Sequence, residues 1–222
     1  MKKTFKGIIS ILLVLIIAFC CVGCADEKKL VGKWETTQDW SDILIETLGL
    51  DTENDEVMKF VEIDDFEVLY IMEFSSNNTY KSYIDKASMK KAFDNLKQDM
   101  RDGLTKYFQN NITENGYDLT VDEYLALAET SLDEIIDPIV TDKAAENAAA
   151  EADNEGNFKA KDGKLYLSSG LQYETDEKIY CTYEVTDNSL KLIKQYGDKE
   201  DYDQVAQSFD SKMYPMTFKK VK

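Results

Sequence analysis

Apolar and polar positions keep to a strand period in the first part of the chain, change to a helical period in the middle, and return to the strand period at the end. Phe66 to Phe74 is nearly continuous in aromatic and β-branched residues, and its length and composition predict a largely buried strand. Ser75-Ser76-Asn77-Asn78 supplies turn residues, so Thr79 to Asp85 reads as the returning strand of a hairpin. Further on, Ile179, Cys181, Tyr183 and Val185 alternate with Tyr180, Thr182 and Glu184, and Asp187-Asn188 turns the chain into Ser189 to Tyr196. Phe158-Lys159-Ala160 turns at Asp162-Gly163 into Lys164 to Leu167. Tyr214, Met216 and Phe218 alternate along a last strand, in which Pro215 predicts a free or bulged edge. With Leu30 to Thr36 counted first, these make about eight strands joined mostly by short turns, enough for a closed up-and-down barrel.

Residues 86 to about 153 read as helix. Met89, Phe93, Leu96, Met100, Leu104, Phe108 and Ile112 recur every three or four residues, which gives one apolar stripe along a helix of about 28 residues, ~40 Å long. Asn115-Gly116 ends it. Thr120-Val121-Asp122-Glu123 is a capping-box sequence that opens a second helix with Tyr124, Leu125, Ala128 and Leu132 inward. Ser131-Leu132-Asp133-Glu134 repeats the signal and Pro138 interrupts the run, so two short helices are expected. Ala144 to Ala152 is helical by propensity and has little to bury. The stripe is expected to pack within the molecule. Facing outward instead, Phe93, Met100, Leu104 and Phe108 would offer a surface to a peptide or protein partner.

Ahead of the strands, Met1 to Lys6 is positively charged and Ile8 to Val22 is apolar apart from Ser10, the n-region and h-region of an export signal. Fifteen or so helical residues reach only ~22 Å against a hydrocarbon core of ~30 Å, which argues against a permanent span. Cys21-Val22-Gly23-Cys24 resembles the lipobox of bacterial lipoproteins, with Cys21 standing where that pattern usually has leucine. The resemblance implies a lipoprotein signal peptide over residues 1–23, acylation of Cys24 by chains such as palmitate, and a short tether over residues 24–29. The protein is then expected on the extracytoplasmic face of the cell membrane, held by its lipid anchor.

Processing of that kind removes Cys20 and Cys21 and modifies Cys24, which leaves Cys181 without a disulfide partner inside the domain. Histidine is absent, and with it the usual general base near neutral pH and the commonest zinc ligand. The formal net charge is -17, and loss of Lys2, Lys3 and Lys6 with the leader makes the mature chain more acidic still. Nucleic acid is therefore not an expected partner. So acidic a domain, tethered closely, is expected to stand off an anionic bilayer by repulsion screened over ~8 Å.

The expected fold class is mainly β with inserted helices (α+β): an antiparallel barrel from residues 30–85 and 154–222, interrupted by a helical insertion over residues 86–153. Leu30-Val31-Gly32-Lys33-Trp34 resembles the Gly-x-Trp start of lipocalins, and Trp40 to Leu50 sits where lipocalins often carry a short helix. "FSSNNTYKSYID" and "MYPMTFKKVK" add a likeness to the lipocalin-like lipoproteins of Gram-positive bacteria. The resemblance implies that Trp34 closes the barrel floor. In that family an arginine near the last strand usually covers the tryptophan, and this chain has Lys219 and Lys220 there. "TVDEYLALAETSLDEIID" resembles helical arm segments of trigger-factor-like chaperones.

Asp51, Glu53, Asp55 and Glu62 fall at the first, third, fifth and twelfth places of a calcium loop, but Glu56 occupies the place that needs glycine and Lys59 a ligand position. A solvated acidic loop is the better reading. The chain has no glycine-rich phosphate loop and no Ser-His-Asp order, so neither cofactor, metal nor catalysis is expected. The leading expectation is non-catalytic binding of a small apolar or amphipathic ligand, with Trp34, Tyr70, Tyr183 and Phe218 as candidate lining residues. The alternative is a protein-interaction or chaperone-like module that uses the insertion. An open barrel cavity would favour the first, and a filled barrel the second.

Overall fold

The computed structural model describes residues 20–23, 27–48, 56–197 and 212–222. Cys24, most of the leader and the acidic positions 51–55 lie outside the described residues. Two compact units form: one from residues 1–38, 68–85 and 147–222, the other from residues 39–67 and 86–146.

The first unit is a closed antiparallel β-barrel. Its strands are β2 (Gly32–Asp39), β3 (Glu67–Phe74), β4 (Thr79–Ile84), β5 (Asn154–Leu167), β6 (Tyr180–Val185), β7 (Ser189–Tyr196) and β8 (Met216–Lys220). They run in the order β5-β4-β3-β2-β8-β7-β6, and β6 pairs back onto β5 to close the ring. A short strand β1 (Cys20–Gly23) also pairs with β5, with Cys21 opposite Leu165. The ring has seven strands where about eight are expected. The difference lies in β5, which runs as one strand yet doubles back within its length. Asp162 and Gly163 take left-handed backbone conformations, φ 60° and 73°, and Ser168 N–H donates to the Asn157 carbonyl at 2.8 Å.

Alternation sends Trp34 and Thr36 of β2, Val68, Tyr70, Met72 and Phe74 of β3, and Tyr80, Ser82 and Ile84 of β4 into buried positions. Phe158, Ala160, Leu165, Cys181, Tyr183, Leu190, Leu192, Met216 and Phe218 complete the interior. The thiol of Cys181 is free and buried. Pro215 precedes β8, which pairs with β7 from Met216 to Lys219 but with β2 only at Lys219 and Lys220, so the end of β8 beside the proline pairs on one side, in line with its missing N–H. A helical turn, α1 (Glu27–Leu30), leads into β2.

In the second unit, α2 (Ser41–Leu48) is held at its start by Asp39, whose Oδ1 accepts from Ser41 N–H at 2.9 Å and from Ser41 Oγ at 2.6 Å. Ser41 Oγ in turn accepts from Phe66 N–H at 3.0 Å. The long helix α3 (Lys86–Glu114) buries Met89, Ala92, Leu96, Gly103, Leu104 and Ile112. Gly103 is where the chain at Phe60–Val61 comes closest, because a Cβ there would lie 2.7 Å from Val61 Cα and 2.8 Å from the Phe60 carbonyl oxygen. Thr120 and Glu123 form the expected capping box of α4 (Val121–Leu127), and Ser131 caps α5 (Leu132–Ile136). The last helix, α6 (Asp142–Glu151), belongs to the second unit as far as Glu146 and to the first from Asn147, and it corrects an expectation. Ala144, Ala145, Ala148, Ala149 and Ala152 are all buried, so its alanines form a packing face of small side chains.

Candidate functional site

The Gly-x-Trp sequence opens β2 beside the end of β8. Trp34 is fully buried and its indole N–H donates to the Leu30 carbonyl at 2.6 Å, which satisfies the one polar atom of the ring. Lys220, opposite it on β8, places Nζ 4.8 Å from the Trp34 ring centroid and donates to the Lys29 carbonyl at 3.2 Å. Gly32 makes the room for this. Its φ of 135° suits glycine, and a Cβ there would come within 2.7 Å of Lys220 Cε.

Aromatic side chains pack on one another inside the barrel. The Tyr70 and Phe218 rings lie 5.8 Å apart, Phe74 and Phe158 5.0 Å, and Phe74 and Tyr80 6.4 Å. Burial pushes the Tyr70 phenol up to about 12, with a hydrogen bond to Ser82 working in the opposite direction. Tyr80 donates to the Ser168 carbonyl at 2.8 Å and accepts from Asn154 Nδ2 at 2.9 Å. Trp34, Tyr70, Tyr183 and Phe218 thus all sit in the barrel interior, buried to 5% exposure or less. Tyr70 and Phe218 pack on each other there.

The stripe candidates on α3 are placed differently. Leu104 is buried, while Phe93, Met100 and Phe108 are half-buried. Phe93 packs on Phe66 at 5.6 Å, and Phe108 on Tyr107 and Tyr124 at 5.2 and 6.1 Å. The side chains beneath the stripe therefore belong to its own unit.

Between α3 and the segment Asp137–Asp142 lies a cleft of about 320 Å³, lined by Phe93, Asp94, Lys97, Asp137, Val140, Thr141 and Asp142. Lys97 pairs with Asp137 at 2.5 Å. Lys90, two turns earlier, reaches Asp142 at 2.5 Å and Asp94 at 3.5 Å. The hydrogen bond to Asp142 raises the Lys90 ammonium above its ordinary value. Phe93 and Val140 give the cleft apolar surface, and its three carboxylates all have lysine partners, Asp137 in Lys97 and Asp94 and Asp142 in Lys90. Sequence reading missed this site because Pro138 reads there only as a helix breaker. The available signal was the spacing of Lys90, Asp94 and Lys97 along one face of a helix.

Other charged groups serve the fold. On the barrel exterior Tyr83 donates to Glu73 at 2.6 Å and accepts from Lys33 at 3.0 Å; the Tyr83 bond, then Lys33, hold the Glu73 carboxylate below its ordinary value. Among the described residues, no group of three or more cysteines or carboxylates is placed to hold a metal ion.

These features define a closed antiparallel barrel with buried inward side chains and a helical unit that carries a small charged cleft. No protein-family model, curated protein or solved structure matches the chain.

Proposed function

We propose that this chain is an extracytoplasmic lipoprotein of lipocalin-like build, anchored through Cys24, that binds a small amphipathic molecule without transforming it. The anchor rests on the lipobox-like Cys21-Val22-Gly23-Cys24. Support for the lipocalin-like reading comes from Lys220 lying over Trp34 where the family has arginine, and from the two arms of β5, which counted separately bring the ring to eight strands. Labelled palmitate entering a Cys24→Ala protein would overturn the anchor.

The observation that carries the binding reading is the cleft. Its volume of about 320 Å³ falls at the lower end of small-ligand sites, and it combines apolar Phe93 and Val140 with three carboxylates against the two lysines that pair with them. That chemistry suits an apolar body with a cationic end. Titration calorimetry with short-chain alkylammonium amphiphiles is the test. Saturable binding that is lost in Val140→Trp, which fills the cleft, is expected; binding equal in the two proteins would refute the site.

A protein partner is the second reading, favoured by Leu127 and Tyr117 of the helical unit, which are 75% and 55% exposed. Chemical crosslinking in intact cells, compared with a Leu127→Asp protein, separates it from the first.

A further inference from the structure

On one wall of the barrel the outward residues fall into two rows. Tyr180 of β6 lies opposite Tyr196 of β7, their rings stacked at 5.0 Å, and Tyr166 of β5 meets Tyr180 at 6.3 Å. In the adjacent row Lys164, Thr182 and Lys194 are successive cross-strand partners. The rows interlock, with Lys164 Nζ 4.5 Å from the Tyr180 ring, Lys194 Nζ 5.4 Å from Tyr196, and Lys159 Nζ 5.8 Å from Tyr166. A register shift between Thr182 and Tyr183 leaves Ile193 beside Lys194 as an extra residue, and Ile193 and Tyr196 are among the exposed large apolar side chains. Lys161 is exposed as well. Asp162 stands in the turn, Glu177 pairs with Lys159 and Glu27 reaches Ala160, which among these described residues sets three carboxylates against four lysines in a chain of net charge -17.

The tether arrives at this wall. Glu27 Oε1 accepts from Ala160 N–H at 3.3 Å, between Lys159 and Lys161 in sequence. Chain length limits residue 24 to about 11 Å from Glu27. We propose, resting on the anchor at Cys24, that the Tyr180–Tyr196 and Lys164–Lys194 wall faces the membrane and docks on anionic phospholipid headgroups. Lysines supply the charge complementarity, and tyrosines with Ile193 supply side chains suited to the boundary between headgroup and water. The domain as a whole is repelled by such a surface, so this wall would set the orientation in which it approaches.

The test reconstitutes the membrane-extracted protein into vesicles of phosphatidylcholine alone and into vesicles enriched in phosphatidylglycerol, then modifies lysines with an impermeant amine reagent. Modification of Lys164 and Lys194 relative to Lys81 is expected to fall about threefold in the anionic vesicles, and high salt should restore it. Lys164→Glu with Lys194→Glu should remove the protection of Lys161. Equal modification in the two vesicle types would overturn the proposal. Protection by a soluble polyphosphate without protection by anionic vesicles would overturn it in favour of a soluble polyanion. Intact mass reports the anchor separately: with no acyl chain present, the anchor reading fails, and anionic vesicles added from outside then read the wall alone by the same lysine ratio.

Discussion

Phe218→Ala tests whether the barrel is packed or open. Phe218 is fully buried on β8, opposite Leu190 on β7 and 5.8 Å from the Tyr70 ring. Truncation removes most of an aromatic side chain and leaves a void of roughly 100 Å³, for which ~24 cal/mol per Å³ gives ~2.4 kcal/mol. Lost transfer of the ring adds about 2 kcal/mol, so the total falls within the ~3–5 kcal/mol typical of buried Phe→Ala changes. For a chain of this size each kcal/mol moves the midpoint by about 2–4 °C, so Tm should drop by about 8–16 °C. Thermal melts followed by circular dichroism measure this, with Phe218→Leu as a milder comparison. A midpoint within about 2 °C of the parent would show that the ring has no close neighbours on one side. The interior would then be available to a ligand, and the assignment of binding to the helical cleft would lose its basis.

Gly156→Ala should cost about 2–4 kcal/mol, because a Cβ there would meet the Ser168 carbonyl oxygen at 2.2 Å and disturb the acceptor of the Tyr80 hydroxyl; an unchanged melt would refute that approach. Ultraviolet titration should find Tyr70 ionising near 12, and Tyr70→Phe should remove that late phase from the folded protein. Asp99 has its Oδ2 buried without a hydrogen-bond partner, and burial, then Asp64, Asp102 and Asp65, hold its carboxyl above the ordinary range. An acid raised on folding costs stability as pH rises from the unfolded value through the folded one, and the cost persists at neutrality. Asp99→Asn should therefore raise Tm by about 1–2 °C at pH 7 and leave it unchanged at pH 3; a fall at pH 7 would refute the argument. Thr120→Ala should destabilise the α4 end of the helical unit by about 0.5–2 kcal/mol, read as faster amide exchange at Glu123.

Local signals were legible where one segment carried the whole message. Alternation in Tyr180 to Val185 and the residues of the capping boxes depend on neighbours two to four positions away, and the structure has them as read. The features missed depend on partners far along the chain. Nothing near the last strand reveals that β2 arrives to pair with its far end at Lys219 and Lys220. The alanines of α6 look inert because small side chains bury little area each, yet they suit close approach. The cleft at Phe93 and Asp142 joins segments about fifty residues apart, and each of them alone reads as an ordinary charged helix surface.

Ring closure also bears on how the molecule acquires its shape. The β2–β8 seam joins strands separated by almost the entire described sequence, and the helical unit is threaded through the connections between β2 and β5. Hairpins such as β3–β4 and β6–β7 can form early from neighbouring residues, whereas the seam must wait until a very long loop has been closed. The β4–β5 pairing also spans a long loop, but the β2–β8 seam is the longer closure, and the rate-limiting nucleus should include Trp34 and Phe218. Until that seam forms, β2 and β8 each present an unpaired backbone edge, so the chain is most exposed to wrong pairing with other chains in the interval just before the barrel shuts.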